Sequence, residues 1–243
     1  MKITVIGSSP AWPNPGGAHS GYVVEHDGGR LLVDCGPGVL GRLREREGWP
    51  HVDAVAITHF HLDHWGDLVP WVWGAMYRAG GVSIDDRPEL WVHAGGHDLL
   101  ERFGTRFGFS DMFDRVFTVR EYSSDQAFAA AGIDVTPIRL PHYRLETYGF
   151  RLAANGKTIA YSGDSGPSAR LAELAHDSDL FVCEATLLNG EDDGLPRGHL
   201  SVEEALSAAA DSGTRRLLLT HRPAELPVPD GIELAYDGLE LEL

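Results

Sequence analysis

Straight after the apolar run Ala54–Ile57 the chain reads THFHLDH, so that His59, His61, Asp63 and His64 bring three imidazoles and a carboxylate into six positions. Such a group needs partners to fold around. Other strand-like runs end on single residues of the same types: His142 after TPIRLP, Asp164 in YSGDS and His221 after RRLLLT. On a chain leaving a strand, His59, His61 and Asp63 alternate and project to one side, while His64 begins the next helix and turns in beside them. One histidine among twelve is ordinarily a surface residue or a satisfied core residue. This spacing, with matching residues at later strand ends, points instead to metal binding.

The elements around the cluster alternate. KITVIGS, SGYVVEH and RLLVDCG read as strands, VLGRLREREG as a helix, and DAVAITH as the strand that ends at the cluster. A helix over LVPWVWGAMYRAG, a strand ELWVHA and a helix GHDLLERFGTRFG complete a first half. A second half starts near Phe117 with FTVREY and IDVTPIRLPH, then ETYGFRLAANGKTIAYSGD, where Asn155-Gly156 is a strong hairpin signal. Helix SARLAELAHD, strand DLFVCEA, helix SVEEALSAAADSG, strand RRLLLTH and a final hairpin around Asp237-Gly238 close the chain. The halves share element order without a sequence repeat. That pattern predicts an α/β protein, two sheets packed together with helices outside, in a single domain over residues 1–243.

Composition narrows the functions. With 243 residues and 43% hydrophobic content the chain can bury a sizeable core. The start MKITVIGSSP lacks a signal-peptide core, and no stretch of eighteen uninterrupted apolar residues occurs, so the expected compartment is the cytoplasm, with no membrane contact. Cys35 and Cys183 each lie in an apolar strand-like segment, which suits buried reduced thiols. A net charge of −16, from 36 acids against 20 bases, argues against a dedicated nucleic-acid surface but not against a small phosphate ester held by metal.

Seven candidate donors, His59, His61, Asp63, His64, His142, Asp164 and His221, exceed what one tetrahedral ion with an open position takes. Two ions sharing Asp164 would use them all. Imidazole and carboxylate suit two Zn²⁺ per chain and leave Mn²⁺ or Fe open.

These residues carry a resemblance. THFHLDH is similar to the HxHxDH signature of the metallo-β-lactamase superfamily, and Asp34 in LLVDCGPG, His142, Asp164 in SGD and His221 in LTH fall in that superfamily's order. The resemblance implies an αββα sandwich with a dinuclear site at one sheet edge. His59, His61 and His142 would hold one metal, Asp63, His64 and His221 the other, and Asp164 would bridge. Asp34 would fix the ligand loop by hydrogen bonds. The segment CEATLLNGEDDGLPRGHLSVEEALSAAADSGTRRLLLTH further resembles the ribonuclease Z branch, in which Glu184 and His199 would form a catalytic pair. A protonated His199 held by Glu184 would stabilise the nonbridging oxygens and protonate the leaving alkoxide, while Asp63 would orient the attacking hydroxide. Alternatively, His199 belongs to the start of a helix capped by Ser201 and Glu204.

The chain departs from ribonuclease Z in one respect: no long arm separates His142 from Asp164. It resembles instead armless relatives, including bacterial phosphodiesterases of cyclic nucleotides. The expected enzyme is therefore a metal-dependent phosphodiesterase for a cyclic nucleotide or other small phosphodiester. A ribonuclease Z-type endoribonuclease acting on transfer-RNA 3′ ends stands as the alternative, as does a hydrolase of a lactone, thioester or β-lactam. A nucleotide-binding scaffold without turnover is a further reading. Trp71, Trp73, Met76 and Tyr77 read as core packing that could also serve a homodimer contact or a pocket wall. The Pro- and Gly-rich loop holding His19 and Ser20 reads as surface, with contact of either residue to substrate as the alternative, His93 and His97 as structural, and Arg222 as a residue that could meet a phosphate.

Overall fold

Along Leu31-Leu32-Val33 the side chains go alternately to two different cores, and that alternation organises the layers. The structure, a computed structural model, describes residues 1–77, 87–190, 193–227 and 230–243. Its elements in order are β1 (Lys2–Gly7), β2 (Gly21–His26), β3 (Gly29–Val33), α1 (Val39–Glu47), β4 (Ala54–Ala56), α2 (Leu62–Trp65), α3 (Leu68–Tyr77), β5 (Glu89–His93) and α4 (Gly96–Thr105). They continue with β6 (Thr118–Tyr122), β7 (Phe128–Ala130), β8 (Ile133–His142), β9 (Leu145–Ala154), β10 (Lys157–Tyr161), α5 (Arg170–Leu174), β11 (Leu180–Glu184), α6 (Val202–Ser212), β12 (Leu217–Thr220) and β13 (Glu240–Glu242).

The strands make two mixed sheets, one ordered β13-β1-β2-β3-β4-β5-β6 and one ordered β12-β11-β10-β9-β8-β7. Leu31 and Val33 join Val5, Val24 and Ala56 against Phe150, Leu152, Ile159 and Val182 between the sheets. Leu32 and Val55 face the other way, onto Leu43 of α1, Trp71 of α3 and Leu100 of α4. On the far side, Phe181, Cys183 and Leu219 pack against Leu171 and Leu174 of α5 and Ala205 of α6. Helix, sheet, sheet, helix is the expected αββα sandwich. Each large side chain buried this way contributes about 1.5–3 kcal/mol. Cys35 and Cys183 are free and buried, and among the described residues no helix is long and apolar enough to cross a membrane.

The hairpin expected at Asn155-Gly156 is present: both residues have positive φ, 48° and 72°, and Ala154 pairs with Lys157 across them. Three expectations need correction. FTVREY does not open the second half, because β6 runs parallel to β5 with Glu89 opposite Thr118 and so completes the first sheet. Asp237-Gly238 does not close a hairpin, because the strand after it, β13, pairs with β1 at the edge of the first sheet, Leu241 opposite Ile3. The helix expected over SARLAELAHD is confined to Arg170–Leu174. β7 went unread in the sequence; it folds back on β8 through Ala131 and Gly132, both at positive φ. The helix expected to reach Gly80 extends to Tyr77, and residues 78–80 lie outside the described residues.

The topology concentrates chemistry at one edge. β3 runs into Asp34, β4 into Thr58, β10 into Asp164 and β12 into His221, while β8 and β11 end on His142 and Glu184.

Candidate metal centre

Leaving β4, the chain turns at His61, the N-cap of α2, and Asp63 and His64 lie within that single helical turn. This corrects the expected extended alternation at Asp63, which lies in the helical turn while His59 and His61 precede it, and the reason is local. The Gly66 N–H reaches the Leu62 carbonyl at 2.8 Å and the His64 N–H the His61 carbonyl at 3.0 Å, winding Asp63 and His64 into a helical turn. The loop after β3 clamps this turn: Cys35 N–H donates to the His64 carbonyl at 2.6 Å, and Asp67 N–H to the Cys35 carbonyl at 3.0 Å. Gly36 lies so close that a Cβ there would overlap the Asp63 carbonyl oxygen.

The seven donors expected from the sequence come together. Ligand atoms of His59, His61, His142 and Asp164 lie within 4.8 Å of one another, as do those of Asp63, His64, Asp164 and His221. Asp164 belongs to both groups. Its oxygens stand 3.2 Å from His64 Nε2, 3.5 Å from His221 Nε2 and 3.7 Å from the Nε2 atoms of both His59 and His142. Asp63 meets His221 Nε2 at 3.2 Å, and His61 Nδ1 meets His142 Nε2 at 2.8 Å.

The Nδ1 atoms decide how the rings present themselves. His142 Nδ1 donates to the Gly198 carbonyl at 2.6 Å and His64 Nδ1 to Asp34 at 2.7 Å, which leaves the Nε2 lone pairs pointing inward. His59 Nε2, His64 Nε2 and Asp164 Oδ1 are buried without any hydrogen-bond partner. Each such orphan costs about 1–3 kcal/mol unless something satisfies it, and a divalent cation among nitrogen and carboxylate donors does so. The residues fit a metal centre. Burial pushes His59 down, towards the neutral form a metal takes.

Asp34, expected to fix the ligand loop, hydrogen-bonds to it. Held at φ 58°, its buried carboxylate accepts Thr58 N–H at 2.8 Å, Tyr161 O–H at 3.0 Å and His64 Nδ1–H at 2.7 Å. Across the cluster, His199 Nδ1 stands 2.9 Å from Glu184 Oε1. Burial alone would lower His199, and the Glu184 carboxylate, by charge and hydrogen bond, overrides it to about 9. The capping box expected at Ser201 and Glu204 is complete, with His199 just ahead of it and its ring turned to Glu184.

Two residues near this pair were not legible in the sequence. Tyr143 is 40% exposed, with its ring centroid 4.9 Å from that of His142 and 5.6 Å from that of His199, and its hydroxyl donates to Asp193 at 3.0 Å. It has φ 49° in a hairpin turn that holds neither Gly nor Asn, a strained choice that clusters at functional sites. Asp193 also accepts the Gly198 and His199 N–H groups at 2.6 and 3.0 Å, fixing the loop that carries His199.

Other candidates fall away. Arg222 is buried and spends its guanidinium on the Ala185 and Pro227 carbonyls, at 2.6 and 2.5 Å, so it does not face a phosphate. The surface setting expected for His19 and Ser20 is corrected, because the loop folds inward: His19 is buried between the Pro37 and Ala11 carbonyls, and Ser20 is buried as well. His97 pairs with Asp114 at 3.1 Å on α4, and the His93 ring meets Phe60 at 5.2 Å. Trp71 is core as expected, whereas Trp73 and Tyr77 are exposed.

The family described as a beta-lactamase superfamily domain matches residues 29–222. Protein ML1173 of Mycobacterium leprae is 34% identical over 98% of this chain and 84% of its own length. The probable metallo-hydrolase YhfI of Bacillus subtilis is 30% identical over 92% of this chain and 87% of its own. The ribonuclease Z of Thermobifida fusca is 26% identical over 90% and 83%. In three dimensions the chain is similar to the crystal structure of YhfI, a metallo-beta-lactamase fold protein, with TM-score 0.84 at 24% identity over 99% of each chain. It is also similar to human tRNase Z, short form, with TM-score 0.78 at 24% identity over 100% of this chain and 99% of that one.

Proposed function

The chain belongs to the beta-lactamase superfamily as one of its metallo-hydrolases, and from that premise we propose that it is a phosphodiesterase acting on a cyclic nucleotide or another small phosphodiester. The observation that carries this reading is the Glu184–His199 pair beside the donor cluster, 2.9 Å apart, in which the buried carboxylate favours the protonated imidazole. Diester cleavage expels an alkoxide that needs a proton at neutral pH. A lactone, thioester or β-lactam hydrolase would use the same metal ligands and leave such a donor idle.

Two Zn²⁺ or similar ions, held by His59, His61 and His142 and by Asp63, His64 and His221 with Asp164 between, would supply positive charge for the diester and acidify a water molecule. The chain's own groups do the rest. Asp63 accepts a hydrogen bond from the attacking water and aims it at phosphorus. His199 donates a hydrogen bond to a nonbridging oxygen and then passes its proton to the departing ester oxygen, while Glu184 holds the imidazole in place. The exposed face of Tyr143 forms a wall of the substrate site. Two buried, unpaired thiols suit a reducing cytoplasm.

A ribonuclease Z-type activity would use the same pair, and the likeness to the Thermobifida fusca enzyme favours it. Against it, β8, β9 and β10 follow one another through the two-residue turns 143–144 and 155–156, leaving no arm between His142 and Asp164, and the net charge is −16. The test is hydrolysis of 3′,5′-cyclic AMP by protein loaded with Zn²⁺ or Mn²⁺, beside precursor transfer RNA and an Asp63→Ala control. Turnover of the cyclic nucleotide that disappears in the control is expected; cleavage of the RNA with every small diester untouched would replace this reading with the second one.

A further inference from the structure

Glu184 is used twice over. Its Oε1 accepts His199 Nδ1–H and Ser165 N–H, both at 2.9 Å, and its Oε2 accepts Thr186 N–H at 3.1 Å and the Thr186 hydroxyl at 2.8 Å. That hydroxyl oxygen lies a further 2.9 Å from His221 Nδ1. A hydroxyl has one proton to give. The His221 carbonyl, at 2.9 Å, competes for it, but a carboxylate is the stronger acceptor. With its proton committed to Glu184, Thr186 can only accept from His221, so Nδ1 carries the ring proton and Nε2 turns its lone pair towards Asp63 and Asp164, at 3.2 and 3.5 Å.

The other donor group repeats the arrangement with different residues. Thr58 Oγ1 lies 3.0 Å from both Asp34 oxygens and 3.0 Å from His59 Nδ1. The same accounting makes Thr58 an acceptor and sets His59 Nε2 free. The two relays differ in one respect: Asp34 supports His59 and His64, whereas Glu184 supports His221 together with the proton donor His199.

We propose that Thr186 and Thr58 are positioning residues that fix the tautomers of His221 and His59, and that Thr186, through the carboxylate it shares with His199, sets the proton donor in register with the second donor group. This rests on the reading of the cluster as a metal centre. Thr→Val keeps the shape of the side chain and removes the relay. Outer partners of metal ligands are worth roughly 10–100-fold in affinity, so Thr186→Val should weaken one Zn²⁺ by about that factor, and Thr58→Val the other. Thr186→Ser, which keeps the hydroxyl, should behave as wild type. His199→Ala should retain both ions, because His199 hangs from the far oxygen of Glu184.

The experiment is a chelator-competition titration of Zn²⁺ on wild type, Thr186→Val, Thr186→Ser, Thr58→Val and His199→Ala, with metal-free thermal unfolding of each. One weakened ion in Thr186→Val, restored in Thr186→Ser, with the metal-free variant still unfolding cooperatively at a modestly lowered temperature, is the result expected. Two ions bound by Thr186→Val with wild-type affinity would overturn this inference alone. A wild-type chain that takes up no Zn²⁺ would overturn the metal reading and this inference with it.

Discussion

The two regions that supply donors reach the same place by different routes. Four donors, His59, His61, Asp63 and His64, lie on one short stretch that runs into α2, clamped by Cys35 with Gly36 packed against the Asp63 carbonyl. His142, Asp164 and His221 arrive singly, on the ends of β8, β10 and β12, and Asp63 meets His221 across 158 positions of sequence. The first region depends on local backbone geometry. The second depends on the register of a whole sheet, so damage to it should travel further.

Asp164→Ala is the largest test of that difference, because this one carboxylate stands between both donor groups. Losing a ligand should cost more than the roughly 10–100-fold of an outer partner. Zinc per chain, measured after dialysis, should fall close to zero, whereas Asp63→Ala, which leaves His59, His61, His142 and Asp164 together, should keep about half the metal. Equal losses in the two variants would show that the groups are not separable.

Next in size is His199→Ala, expected to lower kcat on a small diester by roughly two to four orders of magnitude with metal content intact. The pH profile gives an independent check. His199 acts as an acid only while protonated, so kcat should hold through neutrality and fall as pH rises through about 9, and the alanine variant should lose that limb. A basic limb that survives in the variant would assign the proton to another group.

What could be read beforehand follows the same division between local and distant. THFHLDH was legible because its donors are contiguous, Asn155-Gly156 because that pair takes positive φ without strain, and Ser201 with Glu204 because a capping box is a local pattern. β6 was misplaced because TVREY, with Arg120 and Glu121 exposed, has no pattern that names its partner strand. β13 was misread because its three residues are a strand only by pairing with β1 at the other end of the chain. Tyr143 and Asp193 were missed because a strained turn and a loop-fixing carboxylate leave no periodic signature. Asp63 was placed on the wrong backbone because α2 is a single turn, too short to leave a helical period in the sequence, wound by its own hydrogen bonds and clamped by the loop after β3.

The clamp itself can be tested by two glycines. Gly36→Ala would drive a methyl group into the Asp63 backbone carbonyl, and overpacking against backbone should destabilise by about 1–3 kcal/mol. Gly198→Ala would meet the Tyr143 ring instead, a side chain that can move outward, so the loss should be smaller. Thermal unfolding of the metal-free proteins gives the order. If Gly198→Ala proves the more costly, the second region is the more rigid of the two.

The smallest effect belongs to a cluster outside both regions. His97, Glu101 and Asp114 also place imidazole and carboxylates together, and His97 meets Asp114 at 3.1 Å, close to the spacing of His199 and Glu184. The settings differ: the His97 and Asp114 side chains are each 39% exposed, whereas the Glu184 side chain is fully buried and held by several donors. The Asp114 hydrogen bond raises His97 above its ordinary value. Folding therefore gains stability from the pair in full below the unfolded pKa near 6.5, and loses it as pH rises through the folded value. Screening by solvent limits the gain to about 0.2–1 kcal/mol. Asp114→Asn should remove that small pH dependence in chemical unfolding and leave turnover unchanged. A loss of turnover would mean that this surface pair communicates with the donor cluster.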